Sequence, residues 1–532
     1  MTPIATYANH GRVQDERLAL LLKHAGHEGM PTSYATYLGI DHWLREQIGF
    51  SMPLIQSDNY EHFMGCLPGK GFGAHHVLIR KQIGGFTVAA GFWRWLEFLS
   101  RRVTHDQITL VADYMSGKHN GFPRQFNEAY WRHVVDDCGG YLPLRIEYVG
   151  EGAVFTGVPF PIAQVMGERN AIWLNEPMYI QIGHTTRIAT IAAQFAEVLG
   201  DPYRFIEVAF RAMHNGAESR DLLLAMLIGG GIISSSNDLG CFMNGGPFKA
   251  AGTTGHCFFQ QWETLKEALR ALLSSPLGPY ATVLLDLIDH KDGFKDLLEL
   301  VDEGLPAPFA ERPDSGDVVT QGIEDLTILG DRGKDINVVF EDGKRPKDVL
   351  DAEKRIRMMG LDAKRAISGG GGVFMGPRRD LETAYKACAF WDGSYHGDRE
   401  FIDTMKYCFD DPMKMSIPGL ISWHYSEERG VFMLGTYEQD TTLPGFKREQ
   451  RVLYDNIINP GSPYFDPAYS PQDLTSCQAV IEGQARSLAM RKRLGPNFCL
   501  DVEPNRNAMT LTRELRAKQQ RMVDAAKRQR RG

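Results

Sequence analysis

Four consecutive glycines, Gly369–Gly372, follow Ser368 directly after the strand-like KRAI, and Arg378, Arg379 and Asp380 come shortly after them. Glycines let the backbone approach a ligand closely, and successive N–H groups form a nest for an anion. A following arginine chelates phosphate oxygens, so Gly370, Gly371 and Arg379 are candidate phosphate-binding residues. No Gly-Lys-Ser/Thr follows, which excludes a Walker loop. A second constellation is Glu311-Arg312-Pro313-Asp314-Ser315-Gly316-Asp317, where Pro313 and Gly316 fix a turn. Asp314 there is suited to gripping a sugar hydroxyl while Arg312 faces an anion, although the same residues also suit a capped turn opening a helix. A third is Gly252-Thr253-Thr254-Gly255-His256, in which His256 is a candidate proton carrier or phosphoryl acceptor, roles that few isolated histidines play. Ser234-Ser235-Ser236-Asn237-Asp238 forms another polar strand end, and Asp286 and Glu341-Asp342 are carboxylates placed to hold Mg²⁺ or to start a helix.

The elements that must position these groups alternate. Between about Gly183 and Gly393, short apolar runs (ATVLLDL, INVVF, RAISGGGG) alternate with helical ones (ETLKEALRALL, FKDLLELVDE, DVLDAEKRIRMMG). This pattern predicts a parallel α/β region, a barrel, whose ligands sit beyond the C-terminal strand ends. LETAYKACAF, after the glycines, reads as the next helix. The expected division is a helical extension over 1–51, the first part of an α+β domain over 52–180, the barrel over 181–393, the second part of the α+β domain over 394–505 and a basic tail over 506–532. From Arg506 to Arg531 that tail carries nine Lys/Arg against Glu514 and Asp524, and it predicts a solvated amphipathic helix with a frayed end.

Over 532 residues the composition is that of an ordinary globular protein, 43% hydrophobic and 23% charged. No apolar run approaches the roughly 20 residues needed to span a bilayer, and no secretory signal opens the chain. Eight scattered cysteines without a close pair fit free thiols in a reducing cytoplasm. The net charge of −8 argues against a protein devoted to nucleic acid.

Taken in order, these motifs resemble the nicotinate/nicotinamide phosphoribosyltransferase family across about residues 52–425. The resemblance implies an irregular α/β barrel with a second α+β domain built from N- and C-terminal segments, in a homodimer with shared active sites. Ser57-Asp58-Asn59-Tyr60-Glu61 resembles the family's Asp-x-Tyr-Lys motif, with Tyr60 stacking on the base in the partner's site and Glu61 in place of the lysine. Glu207-Val208-Ala209-Phe210-Arg211 resembles Asp-Phe-Gly-x-Arg, retaining Arg211 but with Val208 for the stacking Phe. His256 falls where the family carries a histidine phosphorylated by ATP. Arg312 and Asp314 match Arg-x-Asp-Ser-Gly at the base and ribose, Asp342 and Gly343 match a second ribose turn, and Gly370, Gly371 and Arg379 match the 5′-phosphate site.

The implied reaction joins nicotinate to phosphoribosyl diphosphate, giving nicotinate mononucleotide and diphosphate, with Mg²⁺ and with ATP as co-substrate. Ser235 and Ser236 support nicotinate, because a carboxylate substrate wants hydroxyl and N–H donors. GTTGH and Lys414–Gly419 also look like the nicotinate branch, whereas the glycine run with its Arg-Asp looks like the nicotinamide branch. Asp238 lies close enough that a small shift of alignment would place an acid there and favour nicotinamide. A non-catalytic nucleotide-binding relative, docking through its basic tail, is the reading from another class.

Overall fold

The computed structural model describes residues 52–531 apart from 119–122, 214–215, 217, 251–252, 331–332, 334, 342–344, 392–401, 412–413, 439–442, 470–476 and 495–508. The expected 1–51 extension, Asp342 and Gly343 therefore lie outside the described residues.

Two seven-stranded sheets organise the chain. One is antiparallel, in the order Ile402–Asp403, Ala384–Trp391, Phe72–Ile79, Phe160–Glu168, Leu144–Tyr148, Arg451–Asp455, Tyr464–Phe465. Strands from both ends of the chain are thus interleaved in a single sheet. A hairpin, Ile421–Ser426 with Val431–Thr436, and the short strand Lys447–Arg448 form a separate three-stranded sheet. The helix expected over LETAYKACAF is instead the strand Ala384–Trp391. Its pairing with Phe72–Ile79 slips between Ala74 and His75, leaving Cys388 as an extra residue. Such a bulge breaks the period-2 alternation by which a strand is recognised.

The other sheet is parallel and curled, in the order Lys249–Ala250, Ser234–Ser235, Phe205–Glu207, Ala366–Gly370, Asn337–Phe340, Ala310–Glu311, Thr282–Val283. Its two edges meet just past the first strand in this order. Thr254 donates to the Thr282 carbonyl twice, from its N–H at 3.1 Å and its hydroxyl at 2.6 Å. The result is the irregular α/β barrel expected. Inside it, Ala310, Val339, Ile367 and Ile206 pack together. On the outer face Val283, Val338 and Phe340 pack against Phe294, Leu297, Ile323 and Leu326 of helices His290–Asp302 and Val318–Leu329.

The helices follow from their sequences. Leu265–Leu273 opens with a Thr264/Glu267 capping box, and Ala268, Leu269 and Leu273 form its buried stripe. Glu176–Leu199 is buried on most of its circumference. Gly229 and Gly230, at the end of helix Glu218–Gly230, lie against its backbone, where a Cβ on Gly229 would stand 2.0 Å from the Ala189 carbonyl. The terminal helix Arg513–Arg531 is not simply solvated. Leu515 is fully buried, Lys518 pairs with Asp403 at 2.6 Å, and Thr512 N–H donates to Leu434. Among the described residues no helix is long and apolar enough to cross a membrane.

Candidate active site

Each candidate at the barrel mouth follows the C-terminal end of a parallel strand, where side chains converge without being consumed by the sheet. His256 begins the short helix His256–Phe259, beyond the Thr254 closure. Its Nε2 lies 3.0 Å from Asp286 Oδ1. An ionised carboxylate only accepts, so Nε2 is the donor in this pair and Nδ1 is left for other partners. That Nδ1 faces Asp314 Oδ2 at 3.8 Å. Ser315 donates to the other Asp286 oxygen at 2.6 Å. Burial pulls the Asp286 carboxyl up, but the bonds from Ser315 and His256 outweigh it and hold it below its ordinary value.

Arg312 stands on the next strand end. It donates to Glu341 at 2.6 Å and pairs with Asp314 at 3.2 Å, while its buried Nε meets no acceptor among the described residues. The structure therefore brings His256, Arg312 and Asp314 into one continuous group, with Asp286, Ser315 and Glu341 completing it. The sequence singles out Asp286 and Glu341 only as strand-end carboxylates. Their pairings bridge 30 residues from His256 and 29 from Arg312, and no local pattern reports such contacts.

The glycine run divides in two. A Cβ at Gly370 would lie 2.6 Å from the Phe205 ring, and one at Gly371 2.7 Å from the Val208 carbonyl oxygen. These glycines let the strand lie against its neighbour, and Val208 N–H donates to Gly370 at 3.0 Å. Gly372, with nothing near its Cβ position, borders open space. The loop that follows is held by Arg187, whose guanidinium reaches the Val373 and Phe374 carbonyls at 3.0 and 2.9 Å and Asp380 at 2.6 Å. Arg379, beside Asp380, is exposed, as is Arg211.

Two calls fare differently. Ser235 is fully buried, donates to Glu207 and accepts the Asn237 N–H at 2.9 Å. Its hydroxyl is turned into the sheet, so the expected donor role toward a substrate carboxylate does not follow from this geometry. Ser236 is half-buried and Asp238 exposed at the same strand end. Glu207, which opens the Glu207–Arg211 motif, is a buried acid; burial raises its pKa and the bonds from Ser235 and Ala209 partly offset that. Tyr60 stands apart on helix Asn59–Gly65, 44% exposed, with its hydroxyl toward Glu176 rather than toward the barrel residues.

No protein-family model matches the chain. A nicotinamide phosphoribosyltransferase of Xanthomonas campestris pv. campestris (strain 8004) is 23% identical over 439 residues, covering 74% of this chain and 92% of the relative. The human nicotinic acid phosphoribosyltransferase structure superposes with a TM-score of 0.59 at 16% identity, over 88% of this chain and 99% of that one. Nicotinate-nucleotide pyrophosphorylase from Pyrococcus furiosus gives 0.55 at 14% identity, over 84% and 97%. The architecture shared with these structures is the type II phosphoribosyltransferase fold. The sequence likeness to the bacterial enzyme, together with this shared fold, supports the nicotinate/nicotinamide phosphoribosyltransferase family.

Proposed function

We propose that the protein transfers the phosphoribosyl group of phosphoribosyl diphosphate to a pyridine base of the nicotinate/nicotinamide pair, as a step in making NAD. The observation that carries this is the group at the barrel mouth: a buried Arg312 Nε–H without an acceptor among the described residues, beside Asp314 and Glu341. An anionic ligand oxygen would satisfy that donor, and a ribose hydroxyl would donate to Asp314. In the transfer the pyridine nitrogen forms its bond to ribose C1 as the C1–O bond to diphosphate breaks. The nitrogen is already a nucleophile, so the protein's task is positioning and charge stabilisation. Arg379 and the glycine turn would hold the 5′-phosphate, and Asp342 and Gly343 the ribose. Asp286 and Glu341, carboxylates at neighbouring strand ends, would be the residues to hold Mg²⁺, which would neutralise the departing diphosphate. His256, with Nε2 tied to Asp286, presents Nδ1 as the atom to accept the γ-phosphoryl of ATP, releasing ADP. Tyr60, exposed and directed away from its own barrel, would stack on the base in a partner subunit's site.

For the base, nicotinamide is the better fit. With the Ser235 hydroxyl turned onto Glu207, the exposed Asp238 at the same strand end would accept an amide N–H and would repel a carboxylate. The bacterial relative, a nicotinamide enzyme, supports the same choice. Nicotinate is the second reading, favoured by the exposed Arg211 on the adjacent strand end and the half-buried Ser236. Turnover with each base, with and without ATP and Mg²⁺, tests both. Nicotinamide mononucleotide as the main product supports the Asp238 assignment, and product mainly from nicotinate overturns it. No product from either base removes the catalytic reading.

A further inference from the structure

Behind the barrel mouth, on the outer face of the parallel sheet, Glu311 occupies a position that its neighbours give to valine. It is in register with Val283 on one side and Val338 on the other, both fully buried in the layer between sheet and helices. Glu311 is itself fully buried, and neither carboxylate oxygen meets an N–H or O–H donor. Two further polar groups close on it from the flanking helices. His290, at the start of helix His290–Asp302, holds its Nε2 2.9 Å from Asp325 Oδ2 of helix Val318–Leu329. All three residues are buried, and one ligand atom from each lies within 4.8 Å of the others. His290 Nδ1 has no partner. Among the described residues, no Lys or Arg forms an ion pair with Glu311 or Asp325.

Left alone, this arrangement is costly. An unpaired carboxylate in an apolar layer costs several kcal/mol, and two facing each other cost more. A divalent cation resolves the conflict at once, because it replaces mutual repulsion with two attractions and uses the imidazole nitrogen as a neutral third ligand. The ligand set, one nitrogen and two carboxylate oxygens in a closed site, is that of Zn²⁺ rather than of the larger, all-oxygen Ca²⁺. Ligands each about 2.1 Å from a tetrahedral ion lie about 3.4 Å apart, within reach of the observed spacing after small side-chain shifts.

We propose that His290, Glu311 and Asp325 bind a zinc-class divalent cation, a structural metal site that ties the strand carrying Arg312 to the two helices packed behind it. The site is separate from the Mg²⁺ ligands at the barrel mouth, since Glu311 faces the helices. It rests on the geometry of the triad and not on the assignment of substrate.

Burial, and then the neighbouring Asp325 carboxylate, push the Glu311 carboxyl well above its ordinary range. A shared proton is accordingly the rival occupant, and metal content separates the two. Full-length protein is stripped with chelator, incubated with ZnCl₂, desalted and analysed by elemental mass spectrometry. About one equivalent per chain is expected, with thermal stability lowered by chelation and restored by Zn²⁺. Glu311→Val, which copies the neighbouring strands, and His290→Gln are each expected to lose the metal at least about tenfold while keeping the far-ultraviolet dichroism of the parent. Co²⁺ substitution provides a second readout, a visible spectrum lost in His290→Gln. Overturning results are no stoichiometric metal in the parent, metal undiminished in both variants, or a thiolate–cobalt band. That band would assign the ion to the other cluster among the described residues, His133, Cys138 and Glu168.

Discussion

Glu147 in the antiparallel sheet and Glu311 in the parallel one are both fully buried carboxylates, yet their surroundings are opposite. Glu147 accepts from Arg145 at 2.8 and 3.0 Å, Gln164 at 2.7 Å, Tyr437 at 3.0 Å and Gln450 at 2.5 Å. Arg145 in turn reaches Asp455 at 2.5 Å, so the cluster links strands from both ends of the chain. Glu311 has no donor among the described residues. Burial alone therefore says little about an acid; the donors around it decide whether its charge is already balanced. The first acid fastens the interleaved sheet, and the second calls for something the polypeptide does not provide.

The contrast makes ordered predictions. Arg145→Met leaves Glu147 and Asp455 without their cation and is expected to cost about 3–5 kcal/mol in urea unfolding. A loss under about 1 kcal/mol would mean that the donors from Gln164, Tyr437 and Gln450 suffice, and the contrast would then rest on hydrogen bonds rather than on charge. Glu207 is the intermediate case, with Ser235 and one backbone N–H as its donors. Ser235→Ala is expected to cost about 1–3 kcal/mol by removing one of them. Because the Ser235 hydroxyl is spent on Glu207, the ratio of activity on the two bases should stay unchanged; a shift in that ratio would return the hydroxyl to the pocket. A third case is Glu151, where burial outweighs bonds from Tyr469 and the backbone of Gly91 and Phe92 and pushes the carboxyl up to about 7 from 4.5. A raised folded-state pKa stabilises below the unfolded value, so stability should fall as pH rises from 4.5 to about 7. Glu151→Gln should flatten that limb of the pH–stability curve.

Much of the barrel mouth was legible because parallel α/β folds deliver residues after strands to one place, and His256, Arg312 and Asp314 each follow a short apolar run. What was not legible is what each side chain does once there. Ser235 looked like a pocket donor, yet its partner Glu207 lies 28 residues away on the adjacent strand, and a serine-rich strand end has the same appearance whichever way its hydroxyls turn. Gly370 and Gly371 looked like part of a ligand nest, but their freedom from side chains serves first to let two strands approach. The strand Ala384–Trp391 was hidden by its bulge at Cys388, which left alanines and a lysine at spacings a helix would also use. Glu311 was read only as part of a turn motif, since its valine neighbours sit on other strands.

Among the described residues the barrel closes at the Thr282 carbonyl, which accepts from both the N–H and the hydroxyl of Thr254. His256 is the second residue after Thr254, so its imidazole rides on the seam of the cylinder. Wherever a ring of strands is joined by so few bonds, thermal opening concentrates there. The Thr254 amide is consequently a natural reporter: its hydrogen-exchange rate measures how often the cylinder parts, and each parting swings His256 with it.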